Sequence, residues 1–464
     1  MPDQSAVARD YVLARQATFV QEFVEWLTIP SVSASPEHTA DCARAAEWVA
    51  RRMRNTGMRV DLVQSGLVNA RPMVVGTYDV HPGRPTVLLY GHYDVQPPDP
   101  LGEWNSPPFQ PRIVGDDVFA RGASDNKGQI WSVLCAVRSL LAVEGRLPVN
   151  LRLVIEGEEE TGGKSIDWLV DRHPERVRAD AAWMADGNLF APGIPALYTA
   201  TRGIVYAEIS ARGAKTDLHS GVYGGAAPNP LLALAHVLSA IRPWHGPVQL
   251  SGFYDRVAPP SEEERRAWAE LPFDEAAFLR DEIGSSAFAG EQDLSVLERI
   301  WARPTFEVHG IAGGFTGHGA KTVIPAKAVA KVSTRLVPDQ DPAEVAASLT
   351  ERVAALCPEG IMMEVRVLQG DPPVQLPTDH PVFKAGAESL EVAFGHAPAL
   401  IRMGGSLPAL VAVSRRLGVP TVMTGFGLPD DRLHAPNEKF HLPNFQRGIF
   451  ATMEFLQRMG RMGR

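Results

Sequence analysis

Four apolar runs in this chain lead into an acid or an imidazole, and that pattern limits the folds open to it. "TVLLYG" (86–91) runs into His92 and Asp94, and "VNLRLVIEG" (149–157) into Glu158, Glu159 and Glu160. "ADAAWMAD" (179–186) closes on Asp186, and "PTVMTGFG" (420–427) leads to a loop carrying His434. Short apolar runs bounded by turn residues read as buried strands. Amphipathic segments at helical spacing stand between them, over 38–56, 128–145 and 382–395. Another opens the chain over 5–28, with Phe19, Phe23, Trp26 and Leu27 on its apolar side, and stops before Pro30. Strands alternating with helices predict a layered α/β sheet. In such sheets ligands bind beyond the carboxyl ends of the strands, which is where these charged residues fall.

The chain has 464 residues, more than one ordinary core holds, so two domains are expected. The pattern changes near residue 204. "GIVYAEISARG", "AKAVAKVSTRLVP" and "MMEVRVL" alternate apolar and polar residues, as half-exposed strands do, around a helix, "PLLALAHVLSAI", and a charged, proline-containing stretch. These features predict an α+β module over 204–379, inserted into a mixed-sheet α/β/α domain made of 1–203 and 380–464. "DPPVQLPTDHP" (371–381) is the returning linker, followed by helices at 382–395 and 407–417 and a last one after Pro443.

Composition closes off several functions. Apolar residues make up 45% and charged residues 21%, as in ordinary globular proteins, and the net charge of −9 disfavours nucleic acid as a partner. No apolar stretch is long enough to span a membrane, and the N-terminus lacks the apolar core of a secretory signal. Cys42, Cys135 and Cys357 lie far apart without CxxC spacing, which fits a reducing, cytoplasmic setting.

Each charged residue has an ordinary role when taken alone. His92 and Asp94, two apart after a strand, could be a satisfied strand-end pair. Asp125 stands where a helix N-cap would, Asp186 at a strand-to-turn junction, and His434 on a surface loop. Together they suit mixed imidazole and carboxylate ligation of two divalent cations, zinc first, with manganese or cobalt as alternatives. Two such cations about 3.5–4 Å apart can share a carboxylate and a water. The Arg121–Gly122 and Gly128 surroundings of Asp125 also imply an unusual backbone path.

The motifs that carry these residues resemble those of the M20 metallopeptidases, and among them the carnosinase and cytosolic non-specific dipeptidase branch. The resemblance covers nearly the whole chain, through "LLYGHYDVQP", "EWNSPPFQP", "RGASDNKG", "EGEEETGG", "TDLHSGVYGG", "KTVIPAKAVAKVSTRLVPDQ", "MGGSLPA" and "LHAPNEK". It implies that His92 and Asp186 bind one metal and His434 and Glu160 the other, with Asp125 bridging. Asp94 would orient His92, and Glu159 would be the general base. The Asp125–Asn126 peptide would be cis. A register one residue earlier would instead make Glu158 the base and Glu159 the ligand. In the inserted domain, the resemblance implies that His219 and Thr322 act across a homodimer formed through that domain. Arg335, helped by Ser406, would hold the terminal carboxylate of a small peptide substrate.

Other functions are weaker. "GFTGHGAKT" (314–322) misses a phosphate-binding loop by one residue, Ala320, and strand-like sequence follows it. A deacylase or desuccinylase of N-acyl amino acids would use the same metals and Glu159. An inactive, metal-stabilised binding protein would need neither Glu159 nor Asp94. The long insert from "GFYDRVAPPSEEE" onwards resembles the dipeptidase branch more than the shorter deacylase lids, and that resemblance implies dipeptide hydrolysis.

Overall fold

The structure, a computed structural model, describes residues 4–462 and divides into two units. One comprises Met1–Thr199, Leu376–Ile401 and Leu407–Arg464, the other Ala200–Gln375 and Arg402–Ser406. The sequence placed the changeovers at 203/204 and 379/380. The chain passes between units at 199/200 and 375/376, and the short segment carrying Ser406 groups with the second unit.

The first unit is built on a mixed sheet. Its strands run in the order Arg59–Val63, Met73–Tyr78, Asn150–Glu156, Thr86–His92, Ala181–Ala185, Thr421–Thr424 and Ala196–Thr201. The four from 150–156 to 421–424 are mutually parallel, and the flanking pairs are antiparallel. Parallel strands have both faces covered, so they read as nearly continuous apolar runs. Strand 181–185 is buried throughout, and strand 86–92 is buried at every position but Thr86. Because these strands are parallel, their carboxyl ends share one edge, with His92 directly beside Glu156.

Helices Gln4–Leu27, Thr39–Arg54 and Gln129–Glu144 are joined through their tryptophans. Trp26 stacks on Trp48 with ring centroids 5.2 Å apart, and Trp131 meets the two edge-on at 6.2 and 5.1 Å. Such pairs add about 0.5–1.5 kcal/mol each beyond the area they bury. This cluster anchors the helix that leads directly out of the Asp125 turn.

The second unit has a four-stranded antiparallel sheet in the order Thr305–Gly313, Lys327–Leu336, Gly203–Arg212 and Met362–Asp371. Its two central strands, Lys327–Leu336 and Gly203–Arg212, largely alternate between buried and more exposed positions, as expected for a sheet covered on one face. Phe306, Ala330, Val332, Val205, Ala207 and Ile209 join a core with helices Pro230–Ile241 and Pro342–Leu356. Tyr206, Ser333 and Arg335 occupy the opposite face. Both helices begin with proline behind a side-chain cap, Asn229 and Asp341 respectively.

Several elements were not anticipated. Strand Ala196–Thr201 is fully buried, and a small sheet joins Arg112–Val114, Asp117–Phe119 and Lys439–His441. The charged stretch contains helices Glu262–Ala269 and Val296–Trp301, each opened by a capping box, Ser261 with Glu264 and Ser295 with Glu298. Among the described residues, no helix is long and apolar enough to cross a membrane.

Gly425, just past the last parallel strand, shows how tightly the sheet edge is drawn. A Cβ there would lie 1.8 Å from the Gly187 carbonyl oxygen, next to Asp186. Backbone cannot yield as a flexible side chain does. Gly425→Ala should therefore destabilise the fold by about 1–3 kcal/mol, read as a lowered urea midpoint.

Candidate metal centre

The parallel sheet edge gathers the predicted residues from five separate stretches of chain. His92 ends its strand and is fully buried. Its Nε2 lies 3.0 Å from Asp125 Oδ1 and 3.7 Å from Asp186 Oδ1. His434 Nε2 lies 2.9 Å from Asp125 Oδ2 and 3.3 Å from Glu160 Oε2. Asp125 thus faces one histidine with each oxygen and does not cap the helix it precedes. Its peptide bond to Asn126 is cis, as the resemblance implied.

Two overlapping donor groups result, His92–Asp125–Asp186 and Asp125–Glu160–His434, each with its ligand atoms within 4.8 Å of one another. Two ligands on one tetrahedral zinc, each about 2.0–2.1 Å from it, lie roughly 3.3 Å apart. The observed separations bracket that value. Glu160 Oε1 is also buried without a hydrogen-bond partner. Imidazole and carboxylate donors, their spacing and this orphaned oxygen all fit divalent cations.

The electrostatics point the same way. Burial pushes Glu160 up to about 7, and burial also raises Glu159 and Asp186, each helped by neighbouring carboxylates. Hydrogen bonds to Asp125 and Glu160 push His434 up to about 10. Burial alone would raise Asp125, but its bonds to His434 and His92 outweigh this and hold it low. The cluster thus draws positive charge, which protons or a metal can supply.

Surrounding residues fix the ligands from behind. Asp94 accepts Ser33 Oγ at 2.6 Å and the main-chain N–H groups of Glu159 and Glu160 at 3.3 and 3.1 Å. It therefore shapes the glutamate turn as well as facing His92 Nδ1 at 3.3 Å. Asn126 Nδ2 donates to the Ala185 carbonyl and to Asp186 Oδ1, and Gln96 Nε2 donates to Glu160 Oε2 at 2.7 Å.

Sequence reasoning missed Glu438 although it lies in the quoted "LHAPNEK". It is fully buried and accepts from Arg121 Nη1 at 2.8 Å and from the N–H groups of Gly122, Ser124 and Asp125 at 2.8, 2.9 and 3.0 Å. Nothing in the local sequence marks it, since its partners lie more than 300 residues away. The crowded turn "RGASD", full of N–H groups needing an acceptor, was the available signal.

Glu156 is fully buried, takes the Tyr90 hydroxyl at 2.6 Å, and is pushed by burial up to about 8. Glu158 accepts the Arg71 N–H at 3.2 Å. Glu159 takes no side-chain hydrogen bond from the described residues, which leaves its carboxyl free.

His219, Thr322, Arg335 and Ser406 belong to the second unit. The strand Leu218–His219 pairs with Val323–Ile324, and Ser220 N–H donates to the Thr322 carbonyl, so His219 and Thr322 are neighbours on one exposed ribbon. His219 Nδ1 accepts the Gly221 N–H at 3.0 Å, which places the ring proton on the exposed Nε2.

The family model for peptidase family M20/M25/M40 matches residues 88–458, and the chain belongs to that family. It is 30% identical over 447 residues to the Cys-Gly metallodipeptidase dug1 of Schizosaccharomyces pombe, covering 93% of each chain. It is 29% identical to the Beta-Ala-His dipeptidase of Rattus norvegicus, over 95% of this chain and 93% of that one. Among solved structures, human carnosine dipeptidase 1 superposes with a TM-score of 0.85 at 28% identity, covering 99% of both chains. An M20 family metallo-carboxypeptidase from Sulfolobus solfataricus gives 0.86 at 31% identity, over 96% and 99%. The chain is thus a peptidase that depends on divalent metal.

If Glu438 holds the Asp125 turn in shape, Glu438→Gln should weaken metal binding about 10–100-fold. Titration with a metal-buffered zinc indicator measures this, and unchanged affinity would remove the role.

Proposed function

We propose that this chain hydrolyses dipeptides with a free C-terminal carboxylate, using two divalent cations, zinc first, held by His92, Asp125, Asp186, Glu160 and His434. The observation that carries the reading is the pair of three-residue donor groups sharing Asp125. When bound, such cations lower the pKa of an attacking water and polarise the scissile carbonyl. Glu159, whose carboxyl is free and adjacent to both donor groups, takes the water's proton and passes it to the leaving amine. Burial raises its affinity for a proton. Asp94 holds the base and its neighbouring ligand in register through their N–H groups. His219 donates from Nε2 to the developing oxyanion, with Thr322 beside it. Arg335 receives the terminal carboxylate, with Ser406 adding a hydrogen bond.

Two surfaces of the second unit support a homodimer in which His219 and Thr322 act in the partner's site. Strand Thr305–Gly313 is a sheet edge with Ile311 exposed, and helix Pro230–Ile241 presents Leu232, 69% exposed, to solvent. An open edge beside an apolar helix face invites a second copy. The free cysteines accord with a cytoplasmic location.

Glu159→Gln should retain both metals yet lose turnover by at least about 100-fold. Elemental analysis with a peptide assay checks this, and a fully active variant would remove the mechanism. Arg335→Ala should weaken dipeptides with a free carboxylate far more than their C-terminal amides. His219→Ala should cripple the dimer, whereas an active wild-type monomer in light scattering would end the trans arrangement. A screen of the metal-loaded protein against dipeptides, tripeptides and N-acyl amino acids tests the substrate class directly.

A further inference from the structure

The polar face of the second unit's sheet lines a cavity of about 510 Å3. Arg335 lies on this face opposite Ile204, and Arg202, two residues before Ile204, lines the same cavity. Diagonal cross-strand neighbours of this kind stand about 7–8 Å apart at the backbone, within reach for two long side chains.

The cavity's charge is unusual for a chain of net charge −9. Five arginines line it against two glutamates, Glu291 and Glu307. Three of the arginines have local work. Arg303 forms a two-point pair with Glu291 at 2.9 and 2.7 Å, while Arg299 and Arg242 donate to main-chain carbonyls. Arg202 and Arg335 differ. Both are half-buried, and neither has an ion pair within the described residues. Arg202 gives its Nε–H to the Gly404 carbonyl at 2.9 Å, and Arg335 makes no hydrogen bond to a described residue. Burial and the nearby Arg335 pull Arg202 down to about 10 although Glu307 opposes the shift, and burial lowers Arg335 against the opposing charge of Asp371. Two like charges withdrawn from water side by side destabilise each other unless an anion joins them. A dicarboxylate can place one carboxylate on each guanidinium and relieve both.

We infer that Arg202 is a specificity-determining residue that receives a second carboxylate, so the preferred substrates are dipeptides whose C-terminal residue is acidic. The inference rests on Arg335 taking the terminal carboxylate. The side-chain carboxylate of aspartate or glutamate, two or three carbons away, then falls to Arg202. The competing role for Arg202 is to position the loop before Ser406, since its main-chain N–H also donates to the Met403 and Gly405 carbonyls.

The test is kcat/KM of the metal-loaded full chain on Ala-Glu, Ala-Gln, Ala-Asp and Ala-Asn. Wild type, Arg202→Gln and Arg335→Ala are compared. The expected result is a wild-type preference of about tenfold or more for each acid over its amide, largely abolished by Arg202→Gln. Wild type without that preference, or an Arg202→Gln loss equal for all four substrates, would overturn the proposal. The Arg335 reading fails separately, if Arg335→Ala leaves all four substrates unaffected. An independent measurement needs no variant. Glutarate should inhibit wild type competitively and at least about tenfold more tightly than glutaramate, its monoamide. Equal inhibition by the two would count against a second cationic subsite.

Discussion

Carboxylates crowded at the end of a parallel sheet repel one another, and inside a protein that repulsion is poorly screened. Asp94, Asp125, Glu156, Glu159, Glu160 and Asp186 all stand at this edge. The structure meets the repulsion in three ways. Asp94 and Glu438 are given several N–H donors. Glu156 is buried beside Tyr90, where burial raises its affinity for a proton. Asp125, Asp186 and Glu160 face two histidines in an arrangement that suits cations. Metal binding and folding are therefore linked in this chain, because the cation offsets a cost that the sheet imposes.

Support for the site comes from distant parts of the chain. Glu438 holds the Asp125 turn from a loop after the last parallel strand, and the tryptophan cluster anchors the helix leading out of that turn. Gly425 and Gly187 approach so closely that the Asp186 backbone has little freedom. A position deeper in the sheet would bury the ligands beyond reach of substrate. A position further along the loops would lose this rigidity.

Much of this was legible from sequence. Parallel strands buried on both faces must be apolar throughout, so "TVLLYG" and "AAWMA" were plain. The alternating strands of the second unit were equally clear, because only one of their faces meets the core. The missed strand Ala196–Thr201, "ALYTAT", mixes polar and apolar residues, and its burial comes from pairing with strands distant in sequence. The two capping boxes were readable, yet the surrounding charge hid the short helices they open.

In "IEGEEETGG" the sequence alone determined that carboxylates would crowd after a buried strand, because strand propensity and turn glycines act between near neighbours. The three-dimensional arrangement separated their roles. Glu156 turns to Tyr90, Glu158 to the Arg71 N–H, Glu160 to His434, and Glu159 is left free. Those partners lie between 66 and 274 residues from their glutamates for Tyr90 and His434, and only strand register brings them near. The pairing of Arg202 with Arg335 in one cavity likewise depends on how two strands align. A sequence sets which groups are available, while the alignment of distant strands sets which of them meet.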